Sequence, residues 1–382
     1  MSSSTGTKST LTWAVHLSAL AIVAIWLLPT FGLLVSSIRT RDQIAVSGWW
    51  TALASSTQNQ IYRAVGADGQ KQRGDVFVIE GNALKSGGTV SRFGISSRAP
   101  TKFAAGDTTE LRDGSLLTVK TDGNFEIVSQ KQITKKRGQR IFVTATIPPS
   151  FTLNNYFRVI GAENLGRSFI NSLTVTIPAT IIPILIAAFA AYALAWMQFP
   201  GRALLIAVVV GLLVVPLQMS LIPLLSAYQS IGAFFGVPGK TYLGIWLAHT
   251  GFGLPLAIYL LRNYIAGLPR EIIESARVDG ATDFEIFLKI ILPLSFPALA
   301  SFAIFQFLWV WNDLLVAMVF LGAGDDELVL TGRLVNLLGS RGGDWEILTA
   351  SAFVTIIVPI IVFFSLQRYL VRGLLAGSVK GG

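Results

Sequence analysis

Residues 269–293 read PREIIESARVDGATDFEIFLKIILP. Pro269 suits the first position of a helix, where its missing N–H would find no intrahelical acceptor, and Gly280 suits the left-handed residue just past a helix end. Thr282 and Glu285 form a capping-box pair, after which Phe284, Phe287, Leu288 and Ile291 recur at helical spacing. The stretch is therefore helix, tight turn, helix, with an amphipathic second helix and Pro293 marking the start of the next element. Taken alone, this outline serves two interfacial helices bracing a loop, or a helix-turn-helix reader of DNA.

The flanks narrow the choice. Of the 382 residues 52% are hydrophobic and only 13% charged, where a soluble chain is about a quarter charged, so much of this one belongs in a bilayer. A spanning helix needs about 20 apolar residues. Six uncharged or nearly uncharged runs qualify: 9–38, 168–201, 203–239, 242–261, 290–321 and 347–367. The quoted stretch lies between the fourth and fifth, and that tether makes DNA binding improbable. The first run exceeds a signal-peptide core and lacks an A-x-A-like cleavage site, so it reads as an uncleaved anchor in which Pro29 kinks the helix without ending it.

Short-loop charges set the orientation. With a cytoplasmic N-terminus, nine Lys/Arg residues fall in inside segments, Arg262, Arg270 and Arg277 among them, against Lys240, Arg333 and Arg341 outside. The positive-inside bias then places both termini in the cytoplasm.

Residues 39–167 hold 18 Lys+Arg against 10 Asp+Glu, and the remainder 12 against 11, so nearly all the basic excess sits in one polar insert, 41–150. Stretches 75–80, 115–120, 124–128 and 139–146 are β-branched or alternating, and Asp68-Gly69, Asp113-Gly114 and Asp122-Gly123 are hairpin signals. The insert reads as β-rich and, by the topology above, extracytoplasmic. Its Lys135-Lys136-Arg137 run reads as a solvated face, with no nucleic acid as partner. The expected architecture is an all-α polytopic membrane protein of six helices, with domains at 1–40 (N-tail and first helix), 41–150 (insert) and 151–382 (core), the last carrying a cytoplasmic loop at 263–293.

Glu274-Ser275-Ala276, then Asp279-Gly280, then Ile290 and Leu292-Pro293, resembles the EAA loop of ABC-importer permeases, with serine in place of the first alanine. In that family the loop is the coupling helix that docks in a cleft of a separate ATPase subunit, so the resemblance implies coupling roles for Glu274, Ser275, Ala276, Asp279, Gly280, Phe284, Ile290, Leu292 and Pro293. Phe151 to Tyr156, Asn171-Ser172, Trp311-Asn312-Asp313 and the tail Val379-Lys380-Gly381 are similar to the maltose-type carbohydrate uptake permease, and the insert after the first span resembles the α-glucoside branch. The resemblance implies an inner-membrane subunit that pairs with a second homologous permease, the ATPase and an extracytoplasmic sugar-binding protein, with a carbohydrate as substrate. It also makes 322–346 the outward loop that reaches the binding protein; its plain alternative is a solvated connector.

Polar groups within spans are expensive and mark either a pathway or an interhelix hydrogen bond. Gln306 and Asp313, seven residues apart, share one helical face, with Trp309, Trp311 and Asn312 beside them. These either line a sugar route or tie the fifth span to its neighbours. His249, flanked by Gly251, Gly253 and Pro255, suits an irregular helix, as a satisfied interhelix hydrogen bonder or a path residue. The absence of cysteine and the presence of only two histidines disfavour thiolate, zinc and triad chemistry. No G-x-x-x-x-G-K-[ST] loop is present, so ATP must be used by a partner. The reading is of a non-catalytic transport subunit without metal or cofactor; the alternatives are a membrane sensor with an outside ligand-binding domain and, more weakly, an integral-membrane enzyme.

Overall fold

The computed structural model describes residues 7–376 other than 85–86, 163 and 341–342. The chain divides into two compact units, Met1–Asn155 with Asp344–Ala350, and Tyr156–Gly343 with Ser351–Gly382.

The first unit opens with α1 (Thr7–Ser37), which runs unbroken through Pro29. Nearly all of its apolar side chains are exposed, Leu20, Ile25 and Trp26 among them, a surface that suits lipid rather than water. At its foot Phe31 meets Trp49 edge-on at 6.0 Å between ring centroids. After α2 (Arg41–Val46) come nine strands: β1 (Ser56–Arg63), β2 (Lys71–Arg73), β3 (Val76–Asn82), β4 (Thr89–Gly94), β5 (Phe103–Ala104), β6 (Thr108–Glu110), β7 (Leu116–Val119), β8 (Asn124–Ser129) and β9 (Arg140–Ile147). They form two antiparallel sheets, β1-β9-β4-β5 and β2-β3-β8-β7-β6. Strict alternation sends Ile141, Val143, Ala145 and Ile147 of β9 into a core shared with Phe93 of one sheet and Ile79, Leu117 and Phe125 of the other, as a period of two requires.

Two of the three Asp-Gly pairs turn hairpins. Gly114 (φ 78°) lies between the paired β6 and β7, and Gly123 (φ 83°) between the paired β7 and β8. Asp68-Gly69 does not. It sits in a 3₁₀ turn between β1 and β2, which belong to different sheets, so the chain crosses over there instead of folding back.

The insert's two ends are clasped together. The Thr152 N–H donates to Ile38 O at 2.7 Å, Asn155 Nδ2 donates to Ser37 O and Arg39 O at 2.8 and 2.9 Å, and Gln43 Nε2 donates to Pro148 O at 3.3 Å. Asn155, marked in the sequence only by resemblance, is thus a buried joint at the base of the insert.

The second unit is helical. α3 (Asn154–Ile160) leads to α4 (Leu165–Trp196), α5 (Arg202–Leu212), α6 (Leu217–Phe235) and α7 (Tyr242–Ala266); then come α8 (Arg270–Val278), α9 (Asp283–Ile286), a π turn at Phe287–Ile291 and α10 (Leu292–Leu294). α11 (Phe296–Asn312), α12 (Leu314–Phe320), α13 (Leu330–Ser340) and α14 (Trp345–Ala376) complete it. α4 and α7 pack through small buried residues, Ala187 and Ala191 on one and Ala257 on the other, which let the backbones approach closely.

Among the described residues four helices are long and apolar enough to cross a membrane: Leu11–Ser37, Leu165–Trp196, Tyr242–Ala266 and Trp345–Leu370. The other two expected spans are not continuous. The run 203–239 is broken into α5 and α6, bent by 106°, where Pro216 has no N–H to give and disfavours helix in the residue before it. The run 290–321 bends by 68° between α10 and α11 and breaks again at Asp313, whose backbone leaves the helical region (φ −83°, ψ 89°).

Candidate functional site

The loop at 263–293 is a helix-turn-helix fastened at each step. Pro269 takes the N-cap position of α8 rather than its first helical turn, a shift of one residue. At the other end the Ala281 N–H reaches Ala276 O at 3.0 Å and the Gly280 N–H reaches Arg277 O at 3.1 Å, the paired bonds of a Schellman turn, with Gly280 at φ 82°. Ala276 and Ala281 close the turn from inside as part of the core beneath it. Thr282 caps α9: its hydroxyl accepts from the Glu285 N–H at 3.3 Å, and Glu285 Oε2 accepts from the Thr282 N–H at 3.0 Å. Such a box contributes about 1 kcal/mol.

Ile273, Ile286, Phe287 and Ile291 are buried against Ala187, Ala191 and Tyr192 of α4 and Leu261 and Ile265 of α7. Phe284 and Leu288, expected on that inner face, point outward. The α-helical period holds only to Ile286; the π turn then accommodates more residues per turn and brings Phe287 and Ile291 to the same side. Tyr192 OH donates to Asp283 Oδ1 at 3.2 Å, and Arg277 donates to the same oxygen at 3.1 Å, so the turn is tied to α4 by polar bonds as well.

What remains outside is a mixed surface. Glu274, Ser275, Asp279, Gly280, Phe284 and Pro293 are exposed, while Ala276, Ile290 and Leu292 are half-buried. Val278 is 88% and Phe284 60% exposed on either side of the turn, more apolar surface than a solvated brace needs. A hollow of about 240 Å³ beside them is lined by Asp279, Gly280, Glu285, Lys289 and Ile290.

The residues expected inside the spans separate into different jobs. Gln306 is buried and its Nε2 donates to Ala179 O at 3.1 Å and His249 O at 3.4 Å, tying α11 to both α4 and α7. Asp313 does not share its helical face, because α11 ends at Asn312; Asp313 Oδ1 instead accepts from the Val316 N–H at 3.1 Å and caps α12. Asn312 is exposed and donates back to Leu308 O at 2.8 Å. Trp309 is half-buried and, with Tyr228, Phe252 and Gln306, lines a cavity of about 550 Å³ beside the α5–α6 bend. Trp311 turns away from it, stacked on Phe307 with its indole N–H on Thr355 O at 3.1 Å. His249 is wholly buried and edge-on to Trp309 at 5.5 Å, and neither ring nitrogen has a hydrogen-bond partner among the described residues. Of the two roles expected for it, the described residues give its ring no interhelix hydrogen bond, and α7, expected to be irregular, stays regular through Gly251, Gly253 and Pro255.

A polar joint that the sequence marked without explaining lies at the start of α4. Asn171 donates to Asp326 O at 2.7 Å and Leu328 O at 3.1 Å and accepts from Tyr242 OH at 2.9 Å, while Ser172 Oγ accepts from the Leu330 N–H at 2.8 Å. Arg333, mostly buried, donates to Ser168 Oγ at 3.2 Å and pairs with Asp325 at 2.7 Å. The segment 322–346 is thus not a plain connector. It carries α13 and is fixed at its root, though residues 341–342 lie outside the described set, as does the tail motif at 379–381. Among the described residues no three His, Asp or Glu side chains gather as for a metal ion.

The family model described as the binding-protein-dependent transport system inner membrane component matches residues 139–375, and the chain belongs to that family. Over 375 residues it is 75% identical to an alpha-glucoside transport system permease protein of Rhizobium meliloti, covering 98% of this chain and 99% of that one. It is 61% identical to an osmoprotective compounds uptake permease protein of Synechocystis, over 60% of this chain and 76% of the relative. A trehalose transport system permease protein of Mycobacterium tuberculosis is 35% identical, over 62% and 84%. The Rhizobium match is too long to omit the insert, whereas the other two, over 230 and 239 residues, span about the length of residues 151–382. No comparison lends support to the sensor alternative.

Proposed function

We propose that the protein is the non-catalytic permease subunit of an ATP-driven importer for α-glucosides, with residues 263–293 as its docking surface for the ATPase. The identity of 75% over 98% of the chain to an alpha-glucoside permease protein carries the substrate class, and the exposed Val278 and Phe284 beside a rigid turn support the docking role. In this reading the two bent helix pairs each act as one span, giving six, with both termini in the cytoplasm and the insert on the other side of the membrane. The core 151–382 carries translocation with a second homologous permease, and a sugar-binding protein delivers substrate near the 322–346 segment. The cavity beside Trp309, with an aromatic wall and one amide, suits a sugar face; Gln306 and Asp313 serve chiefly to hold α11, α7, α4 and α12 in place.

Reconstitution with the ATPase, the second permease and the binding protein tests it. ATP-dependent uptake of maltose but not of its β-linked isomer cellobiose is expected. Equal uptake of both, or uptake without ATP, would refute the assignment.

A further inference from the structure

The insert holds a cleft of about 670 Å³ lined by residues of both sheets, within the size range of sites for small organic ligands. Its floor is apolar, with Ile79, Phe103, Ile127 and Phe142, and its rim carries Arg63, Lys102, Arg112, Lys135, Arg137 and Arg140. All six cations are exposed. The rim's carboxylate is Asp113, paired with Lys135 at 3.2 Å; the Ser115 hydroxyl, more than Lys135, holds its acid below the usual carboxylate range. Arg112, Arg137 and Arg140 have no ion-pair partner among the described residues. Arg63 and Arg140 stand directly opposite each other in the β1–β9 register, a like-charge cross-strand pair that disfavours the sheet. These charged residues come from four separate stretches of sequence, yet they converge on one concavity, whereas Arg73 outside it is balanced by Glu80 and Glu126.

We propose that this cleft binds a ligand carrying at least two phosphate or carboxylate groups, held by Arg63, Arg112, Arg137 and Arg140, with its uncharged body on the apolar floor. Guanidinium groups grip such oxyanions bidentately, and a bridging anion would convert the Arg63–Arg140 repulsion into two attractions. None of its lining residues belongs to the loop 263–293 or to the cavity beside Trp309. The anion reaches it either in solution or as a lipid headgroup.

The test uses the full-length protein and two paired variants, Arg112→Gln with Arg140→Gln in the cleft and Arg98→Gln with Lys131→Gln outside it. Calorimetric titration with fructose 1,6-bisphosphate and with citrate, at ionic strength held constant with NaCl and with glucose as the neutral control, covers the soluble source. Thermal unfolding in nanodiscs of phosphatidylcholine with and without cardiolipin, whose headgroup carries two phosphates, covers the lipid source. Saturable one-site binding of a soluble anion, weakened about tenfold or more in the cleft variant and unchanged in the outside variant, is expected; protection by cardiolipin lost only in the cleft variant would instead assign the paired phosphates of a lipid headgroup. Without ligand the cleft variant should unfold no earlier than the wild type, since a repulsion has been removed. The proposal fails if neither arm responds, if the outside variant loses as much, or if the cleft variant unfolds markedly earlier on its own.

Discussion

Gly280 offers the sharpest test of the proposed docking surface, because its φ of 82° is the only demand it meets: a Cβ built there would find nothing within 4 Å. Gly280→Ala therefore adds backbone strain without a clash, about 1 kcal/mol for a left-handed alanine. If the strain is released by opening the Schellman turn, the docking-competent population falls by up to about fivefold. Asparagine tolerates this region better and should fall between alanine and glycine. Proline cannot: its φ is fixed near −65°, and it would delete the N–H that now bonds Arg277 O at 3.1 Å. ATP-dependent uptake and ATPase rate in proteoliposomes, with thermal unfolding of the same complexes, would then rank glycine, asparagine, alanine, proline, with uptake lost in the last while the permease stays in the membrane. The turn lies at the surface, so the unfolding temperature should change little across the series. Wild-type coupled uptake in Gly280→Pro would refute the reasoning, as would equal losses in the alanine and asparagine variants.

Four further outcomes are expected. Asp313→Ala should cost about 1 kcal/mol in the unfolding of the complex, whereas Asp313→Asn, still a good cap, should be nearly silent in both stability and transport; a large transport loss in the asparagine variant with assembly intact would restore a pathway role. Gln306→Leu should loosen α11 by about 1 kcal/mol, seen as faster hydrogen exchange in α4 and α7, and unchanged exchange would show its two bonds to be idle. Single cysteines in this cysteine-free chain should label from outside at Ser91 and Gly324 and only from inside at Ser275; external labelling at Ser275 would invert the topology. Replacing 45–147 by a short Gly/Ser linker should keep membrane insertion and ATPase association, because Ile38 and Thr152 already stand a hydrogen bond apart, and a failure to assemble would tie the insert to the translocation machinery.

Short-range rules made part of this protein legible. The Gly280 turn, the Thr282–Glu285 box and the two hairpins at Gly114 and Gly123 depend on residues within about five positions of one another, where backbone sterics and single hydrogen bonds decide the outcome. Hydropathy over about 20 residues likewise announced the apolar helices, and alternation announced β3, β7, β8 and β9. Tertiary structure decided what lies farther apart. The inward face of the helix after Thr282 was set by packing on α4 and α7, which favoured a π turn over the regular period. The breaks at Pro216 and Asp313 interrupt runs that composition alone cannot distinguish from straight spans, and Gln306 found its acceptors on helices more than 50 residues away in sequence. The pairing of Arg63 with Arg140, 77 positions along the chain, emerges only when β1 and β9 align. No local pattern encodes such meetings, since they depend on the closure of the whole sheet or bundle rather than on the preferences of any one segment.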